Sequence, residues 1–74
     1  MSAHTTEKLI YMANQIARNV THEPDPVAMI ADHIHAFWSP RMKADVFAVM
    51  DGPEGAALDP VARAALDRLA AHAA

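Results

Sequence analysis

The sequence predicts an all-α protein, a small four-helix domain whose last three helices each begin at a proline. Apolar residues recur at helical spacing in four segments. No segment alternates between apolar and polar residues with the period of two that marks a half-buried strand. Three prolines directly follow a residue that can cap a helix. Because the chain has 74 residues, we expect a single helical domain over residues 1–74.

We predict the first helix over about residues 6–21. Thr5 or Thr6 can cap its N-terminus, and Glu7 lies in the first turn, where the helix dipole favours an anion. The helix must end before Pro24, because proline disfavours helical geometry at the preceding residue. Its apolar face consists of Leu9, Met12, Ala13, Ile16, Ala17 and Val20.

We predict the second helix over about residues 26–38 and the third over about residues 40–50. Asp25 and Ser39 can cap them, and each is followed by a proline in the first helical position, where the missing N–H costs nothing. A glycine and a proline at residues 52–53 end the third helix. The apolar positions are Val27, Ile30, Ala31, Ile34, Phe37 and Trp38 in the second helix and Met42, Val46, Val49 and Met50 in the third.

The segment 52–55 contains both glycines of the chain and a proline, which predicts a loop. The fourth helix is predicted over about residues 59–71, with Asp59 before its first proline. Arg63 and Asp67 lie four residues apart and can form an ion pair worth about 0.2 to 0.5 kcal/mol. The apolar positions of this helix are Val61, Ala65, Leu66 and Leu69.

Composition excludes several classes of function. The net charge is -3 and the six basic residues are spread along the chain, so there is no basic stripe for binding nucleic acid. The absence of cysteine excludes disulfides and thiolate metal sites. No stretch approaches the roughly 18 apolar residues of a membrane span, and the N-terminus does not resemble a secretory signal. We therefore expect a cytoplasmic protein with no nucleic-acid or membrane partner.

Two large aromatic residues lie where the second and third predicted helices meet, and either the core or a partner protein can bury them. A chain this small buries only about 60% of its unfolded surface on folding, so a partner surface is an expected source of further stability. Burying one large apolar side chain is worth about 1.5 to 3 kcal/mol. Phe37 and Trp38 therefore either anchor the core or dock onto a partner, and the sequence leaves both alternatives open.

The sequence contains few residue patterns that are typical of catalytic, cofactor-binding or metal sites. His33 and His35 are two residues apart on a predicted helix and point to different faces, so they cannot chelate one ion. No metal-ligand spacing, nucleophile motif or glycine-rich phosphate loop occurs. We predict no catalytic, cofactor-binding or metal-binding residue in this chain.

Two groups of polar residues have both a local and an interface interpretation. Arg41 and Lys43 lie in the first turn of the third helix, where the dipole disfavours a cation by about 0.3 to 1 kcal/mol. Asp45 can offset this as the i+4 partner of Arg41, or the two cations can face an anionic partner. Asn14 and Gln15 either face water or hydrogen-bond another chain.

Two sequence runs carry a resemblance to a known family. They are Leu9-Ile10-Tyr11-Met12-Ala13-Asn14-Gln15-Ile16-Ala17 and the segment from Ala31-Asp32-His33-Ile34 through Phe37-Trp38 to Pro40-Arg41-Met42. Together they resemble the small delta subunit of soluble NAD-dependent molybdenum formate dehydrogenases, and Leu58-Asp59-Pro60 matches more weakly. The chain departs from the family in having Asn19-Val20 where aromatic residues are frequent and Ser39 where aspartate is frequent.

The resemblance implies a non-catalytic accessory subunit of a complex that oxidises formate to carbon dioxide and reduces NAD. Molybdopterin, iron-sulfur clusters, FMN and NAD are then expected on the partner subunits and none of them in this chain. The implied partner is the large catalytic subunit. The predicted partner interface is Asn14, Gln15, His33, Phe37, Trp38, Pro40, Arg41 and Met42.

Two other functions remain open at this point. One is a transient assembly chaperone that holds the catalytic subunit during cofactor insertion and then leaves. The other is a helical homodimer that buries the aromatic pair between its two copies.

Overall fold

The computed structural model describes residues 2–73, and side chains over residues 6–72. It contains four α-helices, α1 (Ser2–Asn19), α2 (Pro26–Phe37), α3 (Pro40–Val49) and α4 (Pro60–Ala73), and a 3₁₀ helix (Pro53–Ala57) between α3 and α4. Over this part of the chain there is no strand. The prediction of a small all-α domain with proline-started helices is confirmed.

The predicted caps explain why α2, α3 and α4 begin where they do. The side chains of Asp25, Ser39 and Asp59 each accept a backbone N–H from the first turn that follows, at 3.1, 3.2 and 2.9 Å. These bonds satisfy N–H groups that have no partner inside the helix. The capping residues identified in the sequence, each followed by a proline, therefore mark the N-termini of these three helices.

The bounds of α1 differ from the prediction at both ends. The helix begins at Ser2, so Thr6 lies inside it and does not cap it, and the side chain of Thr5 lies outside the described residues. At the other end the helix stops at Asn19, two residues early, because the chain tightens into a turn in which the Thr21 hydroxyl donates to the Arg18 carbonyl at 3.3 Å. Local hydrogen bonds of this kind compete with helix continuation.

The other helix ends shift by one or two residues. α2 ends at Phe37 because Trp38 adopts an extended backbone while its N–H still bonds to the Ile34 carbonyl at 3.0 Å. α3 ends at Val49, and α4 begins at Pro60 and continues to Ala73. Helix bounds read from sequence are commonly uncertain by this amount.

The four helices share one core in which α2 and α4 form the most extensive contact, and α1 packs against α2, α3, α4 and the 3₁₀ helix. Ile30, Ile34, Val46 and Leu66 are its fully buried large side chains. Alanine fills much of the rest, and no polar or charged residue with a described side chain is buried. The other buried hydrophobic residues of the described chain are Leu9, Ile10, Ala13, Ala17, Ala31, Trp38, Met50, Leu58, Ala62 and Ala65.

The segment predicted as a loop between α3 and α4 is partly helical, because Pro53–Ala57 forms the 3₁₀ helix. It lies directly against the end of α3. A Cβ built on Gly55 would lie 2.8 Å from Met50 Cα and closer still to the Met50 carbonyl. Gly55 is therefore required by close approach of two backbones, and its φ is not positive.

We predict that Gly55→Ala lowers the free energy of unfolding by about 1 to 3 kcal/mol, because the added methyl group overlaps backbone that cannot rotate away. Urea denaturation followed by circular dichroism measures the change. Gly52→Ala is the matched control, since its Cβ would lie 3.5 Å from the Val49 carbonyl oxygen, an ordinary contact. Equal stability of the two variants would contradict the packing described here.

Candidate partner interface

The two aromatic residues at the α2–α3 joint have opposite environments. Trp38 is 5% exposed and belongs to the core, whereas Phe37 is 74% exposed. The extended backbone at Trp38 takes it out of the helix, and its ring lies in the core, while Phe37 remains on the outer face of α2. Of the two alternatives for Trp38, the structure thus selects the core, and the predicted interface keeps Phe37 as its exposed aromatic residue.

Phe37 belongs to a row of exposed side chains along α2. Met29, His33 and Phe37 are spaced four residues apart, and all three are exposed. The His33 and Phe37 rings have centroids 4.8 Å apart and are tilted by 39°. We call Met29, His33 and Phe37 the α2 stripe; all three side chains lie outside the core.

The residues that follow the α2 stripe on α3 are divided between surface and core. Pro40 and Arg41 are exposed, and Met42 is half-buried and packs against the core. The Arg41 side chain is 86% exposed and its Nε lies 3.7 Å from Asp45 Oδ1. This is the local ion pair that the spacing allows, and at such exposure it adds little stability.

Lys43 has a structural role that the sequence did not reveal. Its Nζ donates to the carbonyl of His35 at 3.1 Å, in the last turn of α2. A cation at the C-terminus of a helix interacts favourably with the helix dipole and satisfies a carbonyl that has no partner in the helix. The position of Lys43 is unfavourable for α3 but favourable for α2, because the two helix ends meet at the joint.

Asn14 is half-buried, and its side chain bonds to another element of its own chain. Its Nδ2 donates to the Ala57 carbonyl at 2.9 Å, and its Oδ1 accepts the N–H of Asp59 at 2.7 Å. We call this pair of bonds the Asn14 clamp; it fastens α1 to the connection between the 3₁₀ helix and α4. Gln15, by contrast, accepts a hydrogen bond from Arg18 on its own helix at 3.3 Å.

Arg63 forms a second connection at the end of α3. Its Nε lies 3.3 Å from Asp67 Oδ1, which confirms the predicted pair. Its Nη1 donates to the Met50 carbonyl at 3.0 Å, and its Nη2 pairs with Asp51. The sequence could not reveal these two contacts, because they depend on how α4 lies against α3.

The surface of the described residues has clefts between its helices. One cleft, of about 360 Å³, lies between α1 and the 3₁₀ helix, and another, of about 200 Å³, is lined by His35, Lys43, Phe47, Leu69 and His72. Among the described residues no three histidine, aspartate or glutamate side chains converge to hold a metal ion. None of the helices over these residues meets the length and hydropathy of a membrane span.

Comparison with known families gives a match over most of the chain. A family model described as NADH-dependant formate dehydrogenase delta subunit FdsD matches residues 8–66. This range runs from α1 into α4 and includes the Asn14 clamp, the α2 stripe and Arg63. Comparison with curated proteins and with solved structures gives no match.

The environments of the two aromatic residues predict different effects of their removal. Trp38→Ala should destabilise the isolated chain by about 3 to 5 kcal/mol, the usual cost of deleting a buried ring. Phe37→Ala should change stability by less than about 0.5 kcal/mol, as surface substitutions generally do. Denaturant unfolding of the two variants checks this, and similar losses in both would show that Phe37 also contributes to the core.

The Asn14 clamp predicts that Asn14→Ala lowers the free energy of unfolding by about 1 to 3 kcal/mol, because two hydrogen bonds are lost. Gln15→Ala removes a neighbouring amide that bonds only to Arg18, so its effect should stay below about 0.5 kcal/mol. Thermal unfolding of both variants measures the difference. If Asn14→Ala is as stable as Gln15→Ala, the clamp does not contribute to the fold.

Proposed function

Because the chain belongs to the family of NADH-dependent formate dehydrogenase delta subunits, we propose that it is a non-catalytic accessory subunit that docks on the large catalytic subunit. In that position it stabilises the subunit or helps to assemble it. Formate oxidation, the cofactors and electron transfer to NAD belong to the larger subunits, and we assign the complex to the cytoplasm, where NADH is formed and used.

The observation that carries the docking proposal is the exposure of the α2 stripe. Phe37 leaves 74% of its surface in water, although the neighbouring Trp38 is buried and the core is complete without Phe37. Aromatic residues and methionine are enriched where proteins bind one another. A surface of this kind, on a member of a subunit family, fits an anchor that a partner covers.

The side chains around the α2 stripe suit the edge of an interface. Pro40 and Arg41 are exposed beyond its C-terminal end, and Arg41 is held only by a long contact to Asp45. Charges at the rim of an interface mainly influence orientation and association rate, and central aromatic residues contribute most of the affinity. We therefore expect Phe37 and His33 to contribute more than Arg41.

The residue types of this chain support our assignment of the iron-sulfur clusters to other subunits. Iron-sulfur clusters are held mainly by cysteine thiolates, and the sequence contains no cysteine. The histidines of α2, His33 and His35, are separated by two positions and cannot supply a pair of ligands to one ion. We therefore expect this subunit to act through its contacts with other proteins.

Of the two other functions, the homodimer is less well supported by the geometry, whereas the chaperone is equally compatible with it. A homodimer with both aromatic rings between the copies would require Trp38 at the surface, and Trp38 is 5% exposed in the single chain. A transient chaperone would use the same α2 stripe as a permanent subunit. These two roles differ in whether the chain remains in the mature complex.

We predict that Phe37→Ala weakens binding of the chain to a complex purified without it by about 30-fold, the loss typical of a central aromatic anchor. His33→Ala should weaken binding to a smaller extent, and His22→Ala, an exposed histidine in the α1–α2 connection, should leave it unchanged. Biolayer interferometry with the full chain measures these affinities.

The same preparation tests the stabilising role. Complex produced without the chain should show a lower yield or a lower melting temperature, and added wild-type chain should restore the melting temperature. Full activity, heat resistance and cofactor content without the chain would contradict the proposal. Loss of cofactor content together with absence of the chain from mature complex would instead indicate the chaperone.

A further inference from the structure

The methionines of this chain differ in how far they are exposed to solvent. Met29, in the α2 stripe, is 44% exposed. Met12 and Met42 are half-buried and pack against the core, and Met50 is 6% exposed. The side chain of Met1 lies outside the described residues. Among the methionines with described side chains, Met29 is therefore the most accessible to a small solute.

An accessible methionine is a site of oxidation by peroxide. One oxygen atom passes from hydrogen peroxide to the sulfur, which loses two electrons. The O–O bond breaks, and the second oxygen leaves as water. The product, methionine sulfoxide, is polar, whereas the thioether is apolar. Because peroxide must reach the sulfur, exposure ranks the described methionines, and Met29 comes first.

The position of Met29 determines what its oxidation changes. The side chain lies outside the core, so an added oxygen leaves the packing of the helices intact. Met29 lies one helical turn before His33, and the rings of His33 and Phe37 have centroids 4.8 Å apart. In the free chain water hydrates the sulfoxide oxygen. A partner that covers the α2 stripe removes this hydration, which costs binding free energy.

We propose that Met29 is a site of reversible oxidation that controls docking: peroxide oxidises Met29 of the undocked chain, and the sulfoxide weakens its binding to the complex. The inference rests on the proposed function, because it takes the α2 stripe to be the surface that the catalytic subunit covers. In the assembled complex the same contact shields the sulfur. Peroxide therefore acts on assembly and leaves the finished complex unaffected at this site.

The first experiment ranks the methionines and measures the consequence for binding. The full chain is treated with increasing hydrogen peroxide, and mass spectrometry of its peptides should find Met29 oxidised before Met12, Met42 and Met50. At the dose that oxidises Met29 alone among these, the melting temperature should not change. The affinity for a complex purified without the chain, measured by biolayer interferometry, should fall about tenfold. Methionine sulfoxide reductases for both sulfoxide epimers should restore it.

Three variants isolate the contribution of Met29. Leucine has a similar helix propensity and is also apolar, but it carries no sulfur. Met29→Leu should therefore bind as the wild type does, both before and after peroxide. Met29→Gln places a polar group at the same position and should bind weakly without peroxide. Met42→Leu is the matched control, because it removes a half-buried methionine and should leave the sensitivity to peroxide unchanged.

The outcomes separate this inference from the proposed function. If the untreated wild-type chain does not bind the complex, the proposed function is wrong and the inference falls with it. If the untreated chain binds and the chain oxidised at Met29 binds equally well, only the inference is overturned. It is also overturned if Met12, Met42 or Met50 is oxidised before Met29, or if peroxide weakens binding of Met29→Leu as much as that of the wild type.

Discussion

The structure depends on the hydrogen bonds between Asn14 and the connection that precedes α4. Five of the fourteen buried apolar residues in the described part of the chain are alanines, and no buried side chain there is polar. Apolar burial is non-directional, so it does not by itself fix how the helices meet. The Asn14 clamp fixes where the 3₁₀ helix ends and where α4 begins. Since α4 forms with α2 the most extensive contact of the fold, that start position decides how the main helix pair meets.

Three side chains join elements by the same chemical means. Asn14 donates to the Ala57 carbonyl, Lys43 to the His35 carbonyl and Arg63 to the Met50 carbonyl. Each of these carbonyls lies at or near a helix end, where backbone oxygens lack a partner inside the helix. Polar contacts at the junctions between helices thus add directional specificity to an apolar core.

Local features of the fold could be predicted from the sequence, and contacts between elements could not. Caps at Asp25, Ser39 and Asp59 depend on residues within one turn, and all three form as predicted. The Arg63–Asp67 pair is also local. The partners of Asn14 and Lys43 lie on other elements, 43 and 8 residues away, and spacing along one helix carries no information about them.

The candidate site shows the same division. The sequence singled out the aromatic pair, and the backbone conformation at Trp38 decided which ring enters the core. The cleft between α1 and the 3₁₀ helix was not foreseen because its two walls are far apart in sequence, and the segment that forms the second wall was predicted as a loop. A surface that two elements build together becomes visible only once the helices are placed.

The use of carbonyl acceptors at the junctions between helices decides which positions can be substituted during evolution. A main-chain oxygen is present whatever side chain the residue bears, so substitutions at Ala57, Met50 or His35 leave these hydrogen-bond acceptors intact. The donors are side chains of Asn14, Lys43 and Arg63, and few other residue types can supply them. Selection therefore restrains the residue that donates the hydrogen bond in each pair, and not the residue that accepts it. Exposed positions elsewhere can change together with the surface of a partner protein, because such substitutions leave the hydrogen bonds between the helices in place.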